Sequence, residues 1–187
     1  VLNNLSYGAT PTTLSEFNAL GSTDTQRLAN YVDWQLDWAN ISDAAVEQRL
    51  TTAGYTTLNK TLEQLWNDHI KVDPVYDIRM RPAWEVQRAS YVRATHSRRQ
   101  LREVLVNFWH AHFNVMATDF SAGPVFAHYD RDVIRANATG NFRTMLEAVA
   151  QSTSMLYYLD NLNNSRSGPN ENFARELLEL HTFGAEN

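Results

Sequence analysis

The sequence contains no cysteine among its 187 residues. This absence excludes disulfide bonds, thiolate nucleophiles, and the zinc and iron–sulfur sites that depend on cysteine ligands. Any metal ion held by this chain must therefore be bound by His, Asp, Glu, Tyr or Met side chains. The histidines and carboxylates become the residues whose positions matter most.

Long apolar runs and basic stripes are also missing. No stretch of 18 or more apolar residues occurs, so the sequence predicts no membrane-spanning helix. The sequence has 16 Lys and Arg residues against 21 Asp and Glu, which gives a net charge of -5. It has no run of basic residues of the kind that neutralises the phosphates of a nucleic acid. We expect neither a membrane nor a nucleic acid as a partner.

Three common enzyme signatures do not occur. The sequence has no Gly-x-Ser-x-Gly nucleophile elbow, no Gly-rich phosphate-binding loop and no His-Glu-x-x-His zinc helix. The common classes of serine hydrolase, nucleotide-binding protein and zinc protease are therefore poor explanations of this chain.

What the sequence does contain is helical periodicity. Several segments repeat apolar residues at helical spacing, and none shows the period-two alternation of a strand. With 43% hydrophobic residues the chain can bury a core. We expect an all-α fold, an irregular multi-helix domain covering residues 1–187.

Capping residues and prolines mark the expected helix ends. Ser42 is the predicted N-cap of a helix that ends before Gly54. Ser97 and Gln100 have capping-box spacing and predict a break in a long helical stretch. The segment KVDPVYDIRMRPAW is predicted to be mostly a connector, in which Pro82 could open the next helix.

Two histidines lie one residue apart in FWHAHF, inside a predicted helix. Two positions differ by ~200° of rotation on a helix, so His110 and His112 cannot bind one ion from a regular helix. At most one of them is predicted to be a ligand. Strands, rather than helices, present His-x-His to a single metal ion.

The two histidines fall on different predicted stripes of that helix. His112 shares an apolar stripe with Leu101 and Phe108, and its alternative role is a core imidazole bonded to a carbonyl. His110 shares a polar stripe with Glu103 and Asn107. Its alternative role is a surface group, or one hydrogen-bonded to either of those two residues.

The predicted last helix, ENFARELLELHTFG, supplies further candidates. It places His181 within about a turn of Glu176 and Glu179, and such groups can build an iron, manganese or zinc site between helices. The Glu-x-x-His pair that is diagnostic of those sites is missing. Arg175 lies four residues from Glu171 and from Glu179, which predicts ion pairs within the helix, or else a grip on a substrate carboxylate or a haem propionate.

Haem is the other cofactor that a cysteine-free helical protein can bind through one axial histidine. Aromatic walls and arginines at the propionates would complete such a site. The side chains that would suit its walls are Trp109, Phe113, Met116, Tyr157 and Tyr158. An aromatic stripe is also typical of an ordinary core.

Three stretches together, LNNLSYGAT, LREVLVNFWHAHFNV and ENFARELLELHTFG, resemble the large, mostly bacterial family DUF1800. The segment YDRDVIRANATGNFRTMLEAVAQSTSMLYYLDN is similar to that family too, so the resemblance covers nearly the whole chain. The resemblance implies no agreed activity. The positions that it indicates are Asn107, His110, His112, Asn114, Asn170, Glu171, Asn172, Arg175, Glu176, Glu179 and His181.

The resemblance also implies a partner and a compartment. Family members continue well beyond the helix that ends in LHTFG, so this chain matches the N-terminal portion of a longer family domain. We therefore expect a second polypeptide, the C-terminal remainder of a proteolytically processed precursor, to cover apolar surface of the last helix in a heteromer. Members are mostly secreted or periplasmic, and Val1 in place of Met agrees with removal of a leader.

The leading hypothesis is an exported oxidoreductase that uses haem or a transition metal (iron, copper, manganese or zinc) and acts on a small organic, preferably aromatic, substrate. The candidate ligands of the cofactor are His110, His112 and His181, with one of the first two expected to bind it. Asn107, a candidate cofactor-binding residue, or Glu103 is predicted to orient the ligand. The predicted catalytic residues are Arg175, Glu176 and Glu179.

Two alternatives come from other classes. A hydrolase or lyase acting on a polysaccharide could use Glu171, Glu176 or Glu179 as a carboxylate pair. A non-catalytic binding or assembly module would instead use all of these polar residues as satisfied structural groups.

Overall fold

The computed structural model describes residues 1–184, and over this range the protein is all-α, with eleven α-helices and no β-strand. The helices are α1 (Leu2–Leu5), α2 (Pro11–Ala19), α3 (Asp24–Leu36), α4 (Ala44–Thr52), α5 (Leu62–Trp66), α6 (Tyr76–His96), α7 (Gln100–Phe113), α8 (Phe126–His128), α9 (Phe142–Gln151), α10 (Thr153–Tyr158) and α11 (Asn172–Leu178). The all-α prediction is confirmed. Among the described residues, no helix combines the length and the hydropathy of a membrane span.

Short segments of other helical types join or extend these helices. Three are 3₁₀-helical, at Trp38–Asn40, Gly123–Val125 and Asn161–Asn163. Three are π-helical, at Asn67–Lys71, Tyr129–Arg135 and Glu179–Phe183. A π-helix bonds each N–H to the carbonyl five residues earlier, and such segments are rare and frequently lie at functional sites.

The described chain packs as two compact units. The first unit contains Val1–Gly54 and Ala89–Asn107, and the second contains Tyr55–Arg88 and Phe108–Asn187. A small apolar cluster in the first unit joins Leu2, Phe17 and Tyr31, all of them buried.

The break predicted at Ser97 is confirmed, and a carboxylate from another helix holds it. Asp43 accepts hydrogen bonds from the Ser97 hydroxyl at 2.7 Å and from the Arg98 N–H at 2.8 Å. The Gln100 side chain donates to the Ser97 carbonyl at 2.8 Å. Because Asp43 itself is the N-cap of α4, the prediction of Ser42 at that position is wrong by one residue.

Pro82 lies inside α6 rather than at the start of a helix, so the predicted connector is shorter than expected. A proline within a helix has no N–H for the carbonyl four residues earlier, which here belongs to Ile78. The Nδ1 atom of His69 donates to that carbonyl at 2.6 Å. A side chain from the preceding π-helical segment therefore replaces the hydrogen bond that Pro82 removes.

This bond also fixes the protonation of His69, which is 3% exposed. A carbonyl can only accept, so Nδ1 carries the proton and Nε2 is left as an acceptor. The Lys60 ammonium lies 3.0 Å from Nε2 and 2.9 Å from an Asp68 carboxylate oxygen. Burial is the main cause that lowers the pKa of His69 below its ordinary value.

A double-mutant cycle tests whether His69 substitutes for the missing N–H. We expect His69→Leu to cost about 1–3 kcal/mol of the free energy of unfolding, because the Ile78 carbonyl loses its donor. In a Pro82→Ala background the new N–H can bond to that carbonyl, so the same change should cost less. Urea unfolding of the four proteins measures the difference, and an equal cost in both backgrounds would contradict this account.

Candidate functional site

His110 is bonded to a buried carboxylate of the second unit. Its Nε2 lies 2.9 Å from Oδ1 of Asp130, and the other oxygen of that carboxylate accepts from Arg135 Nε at 3.1 Å. Asp130 is 2% exposed and Arg135 is 6% exposed. The partner of His110 is therefore Asp130, which no sequence motif indicated, rather than the predicted Glu103 or Asn107.

The π-helical segment Tyr129–Arg135 explains why this network escaped prediction. Asp130 and Arg135 are five residues apart, a spacing that places them on different faces of an α-helix. In a π-helix, the N–H of a residue bonds to the carbonyl of the residue five positions earlier, so Asp130 and Arg135 come close together. The spacing of five residues between Asp130 and Arg135 is the signal in the sequence that could have indicated this pair.

Aromatic rings enclose the His110 imidazole. The ring centroid of Phe126 lies 5.6 Å away in a stacked arrangement, and that of Tyr129 lies 5.7 Å away, edge-on. Tyr129 is fully buried, and its hydroxyl has no hydrogen-bond partner among residues 1–184. Burial raises the pKa of this tyrosine. His110 thus has one nitrogen on a buried carboxylate and an unpaired phenol close by.

His112 and His181 meet at the ends of two helical segments. His112 Nε2 donates to the backbone carbonyl of His181 at 3.2 Å, and the two ring centroids lie 6.3 Å apart. The His181 ring bonds in turn to the backbone of Phe113, the last residue of α7. The last carbonyls of a helix have no hydrogen-bond partner within the helix. Each histidine supplies a hydrogen bond to the backbone of the other helical segment.

The environment of His181 favours its neutral form. Burial is the largest cause that lowers its pKa, and the charge of a protonated His112 lowers it further. The Glu176 carboxylate and the bond to Phe113 oppose this effect. A neutral imidazole has one donor, and the backbone accepts it, so the neutral His181 ring keeps one nitrogen with a lone pair.

Aromatic side chains surround His112, although the stripe predicted to face the core is only partly buried. Phe108, which belongs to that stripe, is 53% exposed. The rings nearest to the imidazole, with centroids 4.9–6.1 Å away, are those of Phe108, Trp109, Phe113 and Phe142. His112 therefore lies at the edge of an aromatic cluster, bonded to a carbonyl as its alternative role predicted.

The acidic and basic candidates of the last helix are only partly brought together. Arg175 contacts the adjacent Glu176 at 3.8 Å, so the ion pairs predicted with Glu171 and Glu179 are wrong. Glu176 acts on His181 electrostatically, whereas Asn107 is exposed. Of the predicted site residues, the structure groups His112, His181 and Glu176, and places His110 with Asp130.

Within residues 1–184, no set of three or more His, Asp and Glu side chains is arranged to hold a metal ion. Two imidazoles with one carboxylate in electrostatic range are what the described chain offers. Further ligands would have to come from elsewhere, such as water or a substrate.

We expect Asp130→Asn to lower the free energy of unfolding by about 3–5 kcal/mol, because a buried guanidinium would lose its charged partner. The matched control is Asp132→Asn, two residues along, whose side chain is 42% exposed and contacts Arg131. That change should cost about 1 kcal/mol or less. Urea unfolding measures both, and similar costs would mean that the buried network is unimportant for stability.

Comparisons with known proteins add a family and nothing further. The family described as a protein of unknown function (DUF1800) matches residues 1–187. No curated protein matches the chain, and neither does any solved structure.

Proposed function

We propose that this chain, which belongs to the DUF1800 family over residues 1–187, is part of a metal-dependent oxidoreductase whose ion is held by His112 and His181. The observation that carries the proposal is the orientation of the two rings, each with one nitrogen committed to a backbone oxygen. Histidines that bind metals are usually oriented in this way, with the other ring nitrogen facing the ion.

A single ion fits these residues better than a haem does. The ring centroids lie 6.3 Å apart, so the two rings would have to move slightly closer for both to bind one tetrahedral ion at ~2 Å from each nitrogen. Four aromatic rings crowd His112, which leaves little room for a porphyrin plane. A bound iron, copper or manganese ion would supply redox chemistry, and zinc would supply a Lewis acid.

The chain's own residues would supply proton transfer and positioning. Glu176, whose side chain is 22% exposed, is in electrostatic range of His181 and would exchange a proton with it through a bound water or substrate. Asp130 bonds to Nε2 of His110 and so fixes the orientation of that ring. Arg175, with 52% of its side chain exposed, is accessible to a carboxylate on a small organic substrate.

A non-catalytic binding or assembly module is the second candidate, and the same contacts favour it. Each of the two imidazoles already caps a helix end, which is a sufficient structural reason for its presence. The two candidates differ in one measurable property, the affinity of His112 and His181 for a metal ion.

Metal titration of chelator-treated protein separates these candidates. We expect one equivalent of Cu²⁺ or Zn²⁺ to bind in isothermal titration calorimetry, and His112→Gln or His181→Gln to weaken binding at least about tenfold through loss of a ligand. Gln keeps a donor for the carbonyl. The matched control, His96→Gln on α6, replaces an exposed histidine and should bind as the parent does.

Elemental analysis of protein from its natural source would identify the ion. Absence of binding, or equal binding by all three variants with unchanged circular dichroism, would contradict the metal proposal. That result would favour the non-catalytic module.

A second polypeptide is part of the proposal, because the last helical segments expose apolar side chains. Leu178, Leu180 and Phe183 are 55%, 58% and 68% exposed. Apolar groups exposed together are typical of surfaces that bind another protein. We expect size-exclusion chromatography with mass spectrometry of the exported, natively isolated protein to find a second polypeptide bound, and a lone monomer would contradict this expectation.

A further inference from the structure

The first unit contains a cavity of about 620 Å³ that the proposed metal chemistry does not use. Its walls come from the N-terminal segment, α2 and α3, and from residues 94–100. Pockets that bind small molecules usually have volumes of about 300–1,000 Å³ and combine aromatic walls with a few polar groups. The size and the lining of this cavity agree with that class.

Tyr31 presents an unpaired hydroxyl to the cavity. The residue is 5% exposed, and its ring packs edge-on against Phe17 at 5.6 Å and Trp34 at 5.9 Å. These contacts fix the ring, and none of the described residues forms a hydrogen bond with its hydroxyl. The hydroxyl oxygen is accessible to solvent and Tyr31 lines the cavity, so a ligand there can replace the water that bonds to this hydroxyl.

An ion pair and an indole ring complete this wall. The Arg98 guanidinium lies 3.0 Å from the Glu16 carboxylate and 5.7 Å from the centre of the Trp34 ring. Both charged side chains line the cavity, as does the Trp34 ring. Their charges compensate each other, so the wall offers a strong acceptor, a strong donor and an aromatic surface without net charge.

From these contacts we infer that the cavity binds a neutral saccharide unit. A pyranose has hydroxyl groups that both donate and accept, and these match Glu16, Arg98 and Tyr31. It also has apolar C–H faces that pack against an aromatic ring such as Trp34. A charged ligand could bind Glu16 or Arg98 only by breaking the ion pair between them. This inference is independent of the metal proposal, because none of its residues belongs to that site.

Saturation-transfer NMR tests the inference directly on the full chain. The probes are cellotetraose, chitotetraose and maltotetraose, each at millimolar concentration. We expect saturation transfer to the ring C–H protons of at least one probe, and a dissociation constant from a titration followed by tryptophan fluorescence. Absence of transfer to all three probes would overturn the inference, as would binding of an aromatic probe such as benzyl alcohol alone.

Conservative variants test whether the saccharide binds in this cavity. Tyr31→Phe keeps the ring contacts and removes only the hydroxyl, so it should weaken binding roughly tenfold. The matched control is Tyr91→Phe, which alters a 69% exposed tyrosine of the same unit outside the cavity and should leave the affinity unchanged. Circular dichroism checks that both variants fold. Equal affinities for the parent and Tyr31→Phe would place binding elsewhere and overturn the inference.

Discussion

Reciprocal hydrogen bonds join two histidines of the second unit to the ends of two helical segments. His112 donates to the carbonyl of His181, and His181 bonds to the backbone of Phe113 at the end of α7. The terminal carbonyls of helices need partners when water is kept away from them. The imidazoles satisfy that need, and each commits one ring nitrogen to a backbone group. The same bonds therefore fix the orientation of both rings, on which the proposed metal site depends.

Two other histidines of this unit have a ring nitrogen committed in a similar way. His69 donates to the carbonyl that Pro82 leaves without a partner, and His110 bonds to Asp130. The acceptors of these two histidines differ in charge. The Ile78 carbonyl is neutral, whereas the Asp130 carboxylate carries a negative charge that Arg135 balances. A neutral acceptor together with burial favours an uncharged ring, whereas a buried carboxylate can also stabilise an imidazolium. The two kinds of acceptor therefore differ in whether they can balance a positive charge on the ring.

The sequence predicted the helices well because their ends are encoded by local interactions. Gly54 and Gly184 adopt the positive φ values of 68° and 90° that a glycine after a helix allows. Ser97 and Gln100 bond to each other at the predicted break. Contacts between residues of different segments could not be predicted from such local patterns. The partner of Ile78 lies nine residues earlier, on a different segment, so nothing in the local pattern of α6 shows that Pro82 can lie within a helix.

The candidate site was harder to predict, because it depends on π-helical winding. At ~100° per residue, Glu176 and His181 would point in directions ~140° apart on an α-helix. The segment Glu179–Phe183 is π-helical, and this winding brings residues five apart onto the same side. The Thr182 hydroxyl bonds to the Leu177 carbonyl, also five residues away, at 2.8 Å. Asp130 and Arg135 share that spacing. The Asp130–Arg135 pair and the grouping of Glu176 with His181 therefore depend on π-helical winding. A helical wheel drawn for an α-helix would place the residues of each pair on different faces.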